Sequence, residues 1–318
     1  MAERVNGFVR TIRHVYNPLG FSKGYNFVLF FLAIGYLFAF TLARLEYLAF
    51  NTVFCGTQRA PGVGAAPGEC FYWLQDPFKL GMKLHLYTIL PASLLVTLQW
   101  VPVIRHKVRL FHRLNGYTIV SLSLISNAGT IIIAKHTFGG DFATQALVGM
   151  LVVLTTIGYI MAWVNIKLLQ IDQHRAWMMR TWAWVNSALG RGGTLAFYPA
   201  CASYFDGSSP DKRVIVTPGF GSDNPMEISA ALAMPFGTAG WIALVLHTIA
   251  VEIYLRLTPV ESDRLRQVSY ERQLERGFRR PGYAGLTVER FGDGAPYRPS
   301  QPDHGQSPAV DEEAGPGK

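Results

Sequence analysis

The sequence predicts an all-α, polytopic membrane helix bundle of about six transmembrane helices with a disordered polar C-terminal tail. Three observations carry this. Half of the 318 residues are apolar and only 16% are charged, against roughly 25% charged in a soluble globular domain. Mean hydropathy is positive at +0.19, although residues 258–318 are plainly polar. Six apolar stretches also reach the roughly 20 residues that a helix needs to cross a bilayer. Together these exclude an ordinary soluble enzyme, a disordered chain and a disulfide scaffold.

The spans follow in order. The first runs from Tyr25 to Ala43, the second from Leu84 to Ile104 and the third from Leu114 to Ala134. The fourth runs from Ala146 to Leu168, the fifth from Trp177 to Ser203 and the sixth from Ile228 to Leu255. The fifth carries Arg191-Gly192-Gly193 midway and the sixth carries Pro235. Such breaks are tolerated where neighbouring helices or a water-filled cavity satisfy the backbone. The first span is too long for a cleaved signal and lacks a small-residue cleavage pattern, so it is expected to stay as an anchor. This gives a basic N-terminal segment (1–23), a membrane domain (24–257) and a tail (258–318). Within the tail, Glu261 to Arg280 is expected to form a charged surface helix. After Pro281 the Gly, Pro and Asp content predicts disorder.

Charge fixes the expected orientation. Residues 1–257 hold twenty Lys/Arg against eleven Asp/Glu, whereas residues 258–318 hold nine against ten. The basic residues lie in short clusters beside apolar runs rather than on a solvated face, which argues for a lipid bilayer and against nucleic acid as partner. The clusters are Arg4, Arg10, Arg13 and Lys23; Arg105 to Arg113; Lys167, Arg175 and Arg180; and Arg256, Arg264 and Arg266. All fall on one side of the bundle, which places both termini in the cytosol. Cys55 and Cys70 then lie in a non-cytosolic loop between the first two spans. An intramolecular disulfide is permitted there, with two free thiols as the alternative. Cys201 reads as a small packed residue. The chain shows no repeat, P-loop, dinucleotide fingerprint, zinc spacing or serine-hydrolase elbow, and no metal is expected.

Ionisable residues inside spans are costly, so each is a functional candidate. Arg191 lies near the middle of the fifth span. Arg180 is eleven residues earlier, nearly three turns, and so lies on about the same helix face. Glu252 sits one turn before Arg256, at the depth expected for Arg180, so an Arg180–Glu252 pair is expected. It can serve as packing glue or as chemistry. His247 is five residues earlier, about 7.5 Å along the axis, and is either an interhelical hydrogen bonder or a proton carrier. Gln99, Asn127, Asn165 and Asn186 are explained by interhelical hydrogen bonds, or together with the arginines they line a polar cavity. Trp177, Trp182 and Trp184 are candidates for the wall of an apolar pocket.

Four histidines lie at span ends: His85 and His136 on the outer side, His112 and His174 on the inner side. Two bis-histidine haem sites would need such pairs at matched depths. The phrase His112-Arg113-Leu114-Asn115-Gly116 resembles the His-x-x-x-Gly turns of dihaem ferric-reductase cytochromes, although the even ligand spacing of those proteins is missing. His112 and His136 are also about 36 Å apart along a helix, more than the roughly 30 Å hydrocarbon thickness.

Taken in order, His85, Gln99-Trp100-Val101-Pro102, Phe111-His112-Arg113-Leu114-Asn115-Gly116-Tyr117, His174-Arg175-Ala176-Trp177-Met178-Met179-Arg180, Trp241 and Glu252 form a set. This set resembles the multi-pass membrane family called domain of unknown function 2306, over roughly residues 80–256. The His-Arg-x-x-Gly and His-Arg-x-Trp-Met-x-Arg phrases are its most specific parts. The resemblance implies a fold rather than an activity, and it singles out His85, His112, Arg113, His174, Arg175, Arg180 and Glu252. The chain departs from the family pattern in two places: His247 stands where an asparagine is expected, and the first loop carries the two cysteines.

Three functions are compatible with these residues. The leading one is an integral membrane enzyme acting on a lipophilic small molecule. Its chemistry would be acid/base cyclisation or isomerisation of a terpenoid-like intermediate in secondary metabolite biosynthesis. Glu252 or His247 would move protons, Arg191 or Arg180 would stabilise negative charge, and no cofactor would be required. The second is a b-type haem electron-transfer protein, ligated through His112, His174 and His85. The third is a non-enzymatic carrier or assembly factor.

Overall fold

The computed structural model describes residues 13–21, 23–56, 64–65, 68–189 and 225–299, without the side chains at 138–139, 188–189 and 225–235. Arg191 and Cys201 lie outside the described residues. The described residues hold seven long helices and no strand: α1 (Gly24–Leu42), α2 (Phe78–Gln99), α3 (Arg109–Ile133), α4 (Phe142–Lys167), α5 (Ile171–Leu189), α6 (Pro225–Leu257) and α7 (Pro259–Glu275). Among the described residues, five stretches are long and apolar enough to cross a membrane: Gly24–Leu42, Phe78–Gln99, Arg109–Thr137, Phe142–Lys167 and Phe236–Leu257. The fifth expected span is described only as far as Leu189.

Helix ends differ from the expected ones for local reasons. The second span was expected from Leu84 to Ile104, but α2 starts at Phe78 and stops at Gln99. A residue before proline is pushed out of the helical region, and Val101, which precedes Pro102, is extended at ψ 115°. Pro102 then opens a short helix, Pro102–Lys107, at the first-turn position that proline suits. Val108 breaks the chain again (φ −117°, ψ 60°) before α3 begins. His85 therefore lies two turns inside α2 rather than at its start.

The chain divides into two units: Met1–Tyr159 with Met179–Glu252, and Ile160–Met178 with Ile253–Lys318. In the first unit α2 and α3 form an antiparallel hairpin. The buried residues of α3 are Asn115, Ile119, Ser123, Ser126, Gly129 and Ile133, a three-and-four spacing that marks one helix face. Close approach depends on glycine: a Cβ on Gly129 would meet Gly81 O at 2.6 Å and His85 N at 2.8 Å. Small residues at such crossings are what dispersion-driven packing in lipid requires. Gly237 and Gly240 of α6 lie in the same way against Thr144 and Leu147 of α4. The offset of 93 residues is the same in both pairs, as parallel neighbours require. Beyond the far end of the hairpin, Phe50, Phe54, Ala65 and Trp73 cluster with Met82, Leu86 and Ile133. The Cys55–Cys70 disulfide closes the loop that carries this cluster.

The second unit gives the first part of the expected tail a fold. The charged helix is there, as α7, with Pro259 as its first residue. Residues 281–299 were expected to be disordered, but those that the structure describes are folded through buried polar side chains. Gln273 donates to Gln170 Oε1 (2.9 Å) and Leu168 O (3.0 Å), and its own carbonyl accepts from Gly282 N (2.7 Å). Asn165 accepts from Leu286 N at 2.9 Å. Arg266 pairs with Asp172 (3.7 Å) and Glu289 (2.7 Å). Composition misses this because the segment is held by amides and charges rather than by an apolar face. Gln273→Leu should leave Gly282 N and the Leu168 carbonyl unpaired, at about 1–3 kcal/mol each. Limited trypsin digestion at Arg276 and Arg279 is then expected to quicken at least tenfold.

Candidate functional site

The site is built on α5 and α6. Arg180 lies in the third turn of α5, whose hydrogen-bonding side chains at 180, 184 and 187 follow the four-and-three spacing of one face. On α6 their partners are Glu252, Thr248 and His247. Arg180 Nε donates to Glu252 Oε1 at 2.5 Å and Nη2 to Oε2 at 3.1 Å, a bidentate pair. Trp184 Nε1 donates to Thr248 Oγ1 at 3.1 Å. Ser187 Oγ lies 3.0 Å from His247 Nδ1. Partner numbers fall as the α5 numbers rise, which is the register of two antiparallel helices.

The Ser187 hydroxyl lies within hydrogen-bond distance of the Ala183 carbonyl (3.1 Å) and the Ala243 carbonyl (3.5 Å) as well as of His247 Nδ1. A neutral imidazole has one nitrogen that accepts a proton, and an imidazolium donates one; His247 sits about 7.5 Å along the axis from Glu252. The Arg180–Glu252 side chains are 23% and 39% exposed, so the pair is half-buried. Asn186 Oδ1, one residue before Ser187, is buried and has no hydrogen-bond partner among the described residues.

The other expected residues have separate surroundings. His85 Nδ1 lies 2.9 Å from both Ser126 Oγ and Thr130 Oγ1 of α3. His112 belongs to the first turn of α3, where its carbonyl accepts from Gln99 Nε2 at 2.9 Å. His136 stacks on Tyr72 and meets Phe78 edge-on. His174 Nδ1 donates to the Ala162 carbonyl at 2.9 Å, and burial holds its pKa below the ordinary 6.5 against the pull of that bond. Arg175 lies over the Tyr254 ring. Asn127 donates to Thr155 and Thr156, both at 3.0 Å. Of the three tryptophans, Trp184 is part of the ladder and Trp182 is fully buried. Among the described residues no three His, Cys, Asp or Glu gather as a metal-ligand set.

Sequence reasoning paired Arg180 with Glu252 but missed Ser187 and Thr248. The available signal was the 180–184–187 spacing opposite 248 and 252. A pair with this exposure falls between the 0–1 kcal/mol of surface bridges and the 3–5 kcal/mol cost of breaking a buried one. In a double-mutant cycle with Arg180→Gln and Glu252→Gln, the coupling energy is expected at about 1–2 kcal/mol. Thermal unfolding in detergent measures it.

One family model matches the chain, described as a predicted membrane protein (DUF2306), over residues 82–211. The match bears out the resemblance read from the histidine–arginine motifs. The chain is an integral, multi-pass membrane protein. No curated protein and no solved structure matches it.

Proposed function

We propose that this protein is a membrane-embedded enzyme that moves a proton on a lipophilic small molecule between α5 and α6. The observation that supports it most is the ladder of Arg180–Glu252, Trp184–Thr248 and Ser187–His247. It places two proton-carrying groups on α6 about 7.5 Å apart along its axis and about 140° apart around it. Two such groups at different depths suit proton-initiated cyclisation of a terpenoid-like chain. In such a reaction the proton enters an alkene at one end and leaves several carbons away after ring closure. Protonated His247 delivers it through Nε2, and the Glu252 carboxylate, oriented by Arg180, takes it up. Asn186 Oδ1, unpartnered among the described residues, offers a hydrogen-bond acceptor to a substrate hydroxyl. Arg191 remains a sequence-level candidate for charge stabilisation. Both termini are assigned to the cytosol on the positive-inside pattern.

General acid–base groups contribute typically 10²–10⁴-fold. Glu252→Gln and His247→Asn should each lower conversion of a linear polyprenylated phenol to an isomeric product by at least a hundredfold. The assay uses membrane vesicles and chromatography with mass detection, and expression should be unchanged. Wild-type conversion in both variants would remove these residues from the chemistry.

A second reading, a b-type haem carrier, is supported by one feature. His174 donates Nδ1–H to a carbonyl, the bond that orients metal-ligating histidines and leaves Nε2 for the iron. On this reading His112 and His85 are the other candidate ligands. Haem would supply one-electron transfer across the bilayer. On this reading the protein purified with added haem gives a reduced-minus-oxidised α-band that His174→Ala weakens. A flat spectrum leaves the proton-transfer reading alone.

A further inference from the structure

The first turn of α3 is an electrostatic misfit. Arg109 and Arg113 are four residues apart, so they are neighbours on the helix surface, where like charges repel. No acidic residue occupies that turn, and cations at this end of a helix are opposed by its dipole. Lys107 adds a third charge across the Val108 break. All three side chains are exposed, and none belongs to an ion pair among the described residues. The sequence offers no local remedy, because no Asp or Glu occurs between Asp76 and Asp141.

The same turn heads an apolar stripe. Leu110 is 69% exposed, Leu114 59%, Tyr117 52% and Ile131 64%, with Leu124 at 39%. At 100° per residue these five fall within an arc of about 100°, with Arg109 and Arg113 at its edge. The opposite face of α3 is the buried one, against α2. The cations are also held in place. Gln99 Nε2 bonds the His112 carbonyl, and Asn115 Nδ2 bonds the Leu95 carbonyl at 3.0 Å. This end of α3 cannot splay to relieve the repulsion.

We propose that the Arg109–Arg113 turn is a binding site for an anionic phospholipid. Its phosphate and headgroup are held by Arg109, Arg113 and Lys107, and one acyl chain lies along the stripe that starts at Leu110. Planar guanidinium groups suit phosphate oxygens. A membrane-crossing helix keeps the site at the bilayer surface, so the occupant is the lipid rather than a soluble phosphate. Anionic lipid would lift the repulsion that the chain itself leaves uncompensated.

Native mass spectrometry of the full chain in mild detergent tests this, with phosphatidylglycerol and phosphatidylcholine of identical chains as probes. Wild type should retain phosphatidylglycerol at least tenfold more than phosphatidylcholine. Arg109→Gln/Arg113→Gln should abolish that preference, Arg109→Lys/Arg113→Lys should keep part of it, and Lys135→Gln should leave it unchanged. A monodisperse gel-filtration peak confirms that each variant folds. Inorganic phosphate at the same concentration should not compete. Equal retention of the two lipids by wild type, an unchanged preference in the Gln pair, or full competition by inorganic phosphate would each overturn the assignment.

Discussion

Hydrocarbon offers a polar group no water, so every donor and acceptor within the bilayer must find its partner inside the protein. Helices satisfy the backbone. Side chains have to be satisfied between helices, and here those bonds set the registers. In the α2–α3 hairpin the fixed points are His85 with Ser126 and Thr130, Asn115 with the Leu95 carbonyl, and Gln99 with the His112 carbonyl. Between α5 and α6 they are Arg180–Glu252, Trp184–Thr248 and Ser187–His247. Sliding either pair by one residue would strand all of these groups in lipid. Apolar contacts alone could not impose that, because lipid tails are as apolar as leucine. In the hairpin, Gly81 and Gly129 let the backbones come close enough for the bonds to form.

The unit of residues 160–178 and 253–299 follows a different rule. Its chain between α4 and α5 turns through Leu169 in the left-handed region at φ +56°, and buried amides take up the free backbone groups. Gln170, Gln273, Asn165 and Ser269 have no exposed surface. Each bonds a group that would otherwise be buried unpaired. Gly285, at φ +90°, lies so near Gln170 that a Cβ there would meet its side chain at 2.6 Å. Such a network is unforgiving: fully satisfied it fixes one geometry, and each lost member leaves partners unpaired in low dielectric.

This contrast explains what could be read from sequence. The long spans were legible because burying about 20 apolar residues in a row leaves a signal that needs no context. Their ends were less so. The second span was displaced by six residues at its start because Lys79 and Lys83 break the apolar run without breaking the helix. The Arg180–Glu252 pair was legible because two charges at one depth have few other ways to be satisfied. Ser187 was not, since a serine in a span is usually silent, bonded to its own helix as Thr41 is to Leu37. The folding of residues 281–299 left no trace in composition, because amide networks depend on who meets whom.

The α5–α6 ladder bears on a wider question, whether an ion pair within a membrane domain is there for stability. A buried pair replaced by well-packed apolar residues is often neutral or more stable, so stability alone is a poor reason to keep Arg180 and Glu252. Register is a better one, yet Trp184–Thr248 and Ser187–His247 already supply it with neutral groups. The charged rung adds a carboxylate with a fixed orientation and a guanidinium to neutralise it.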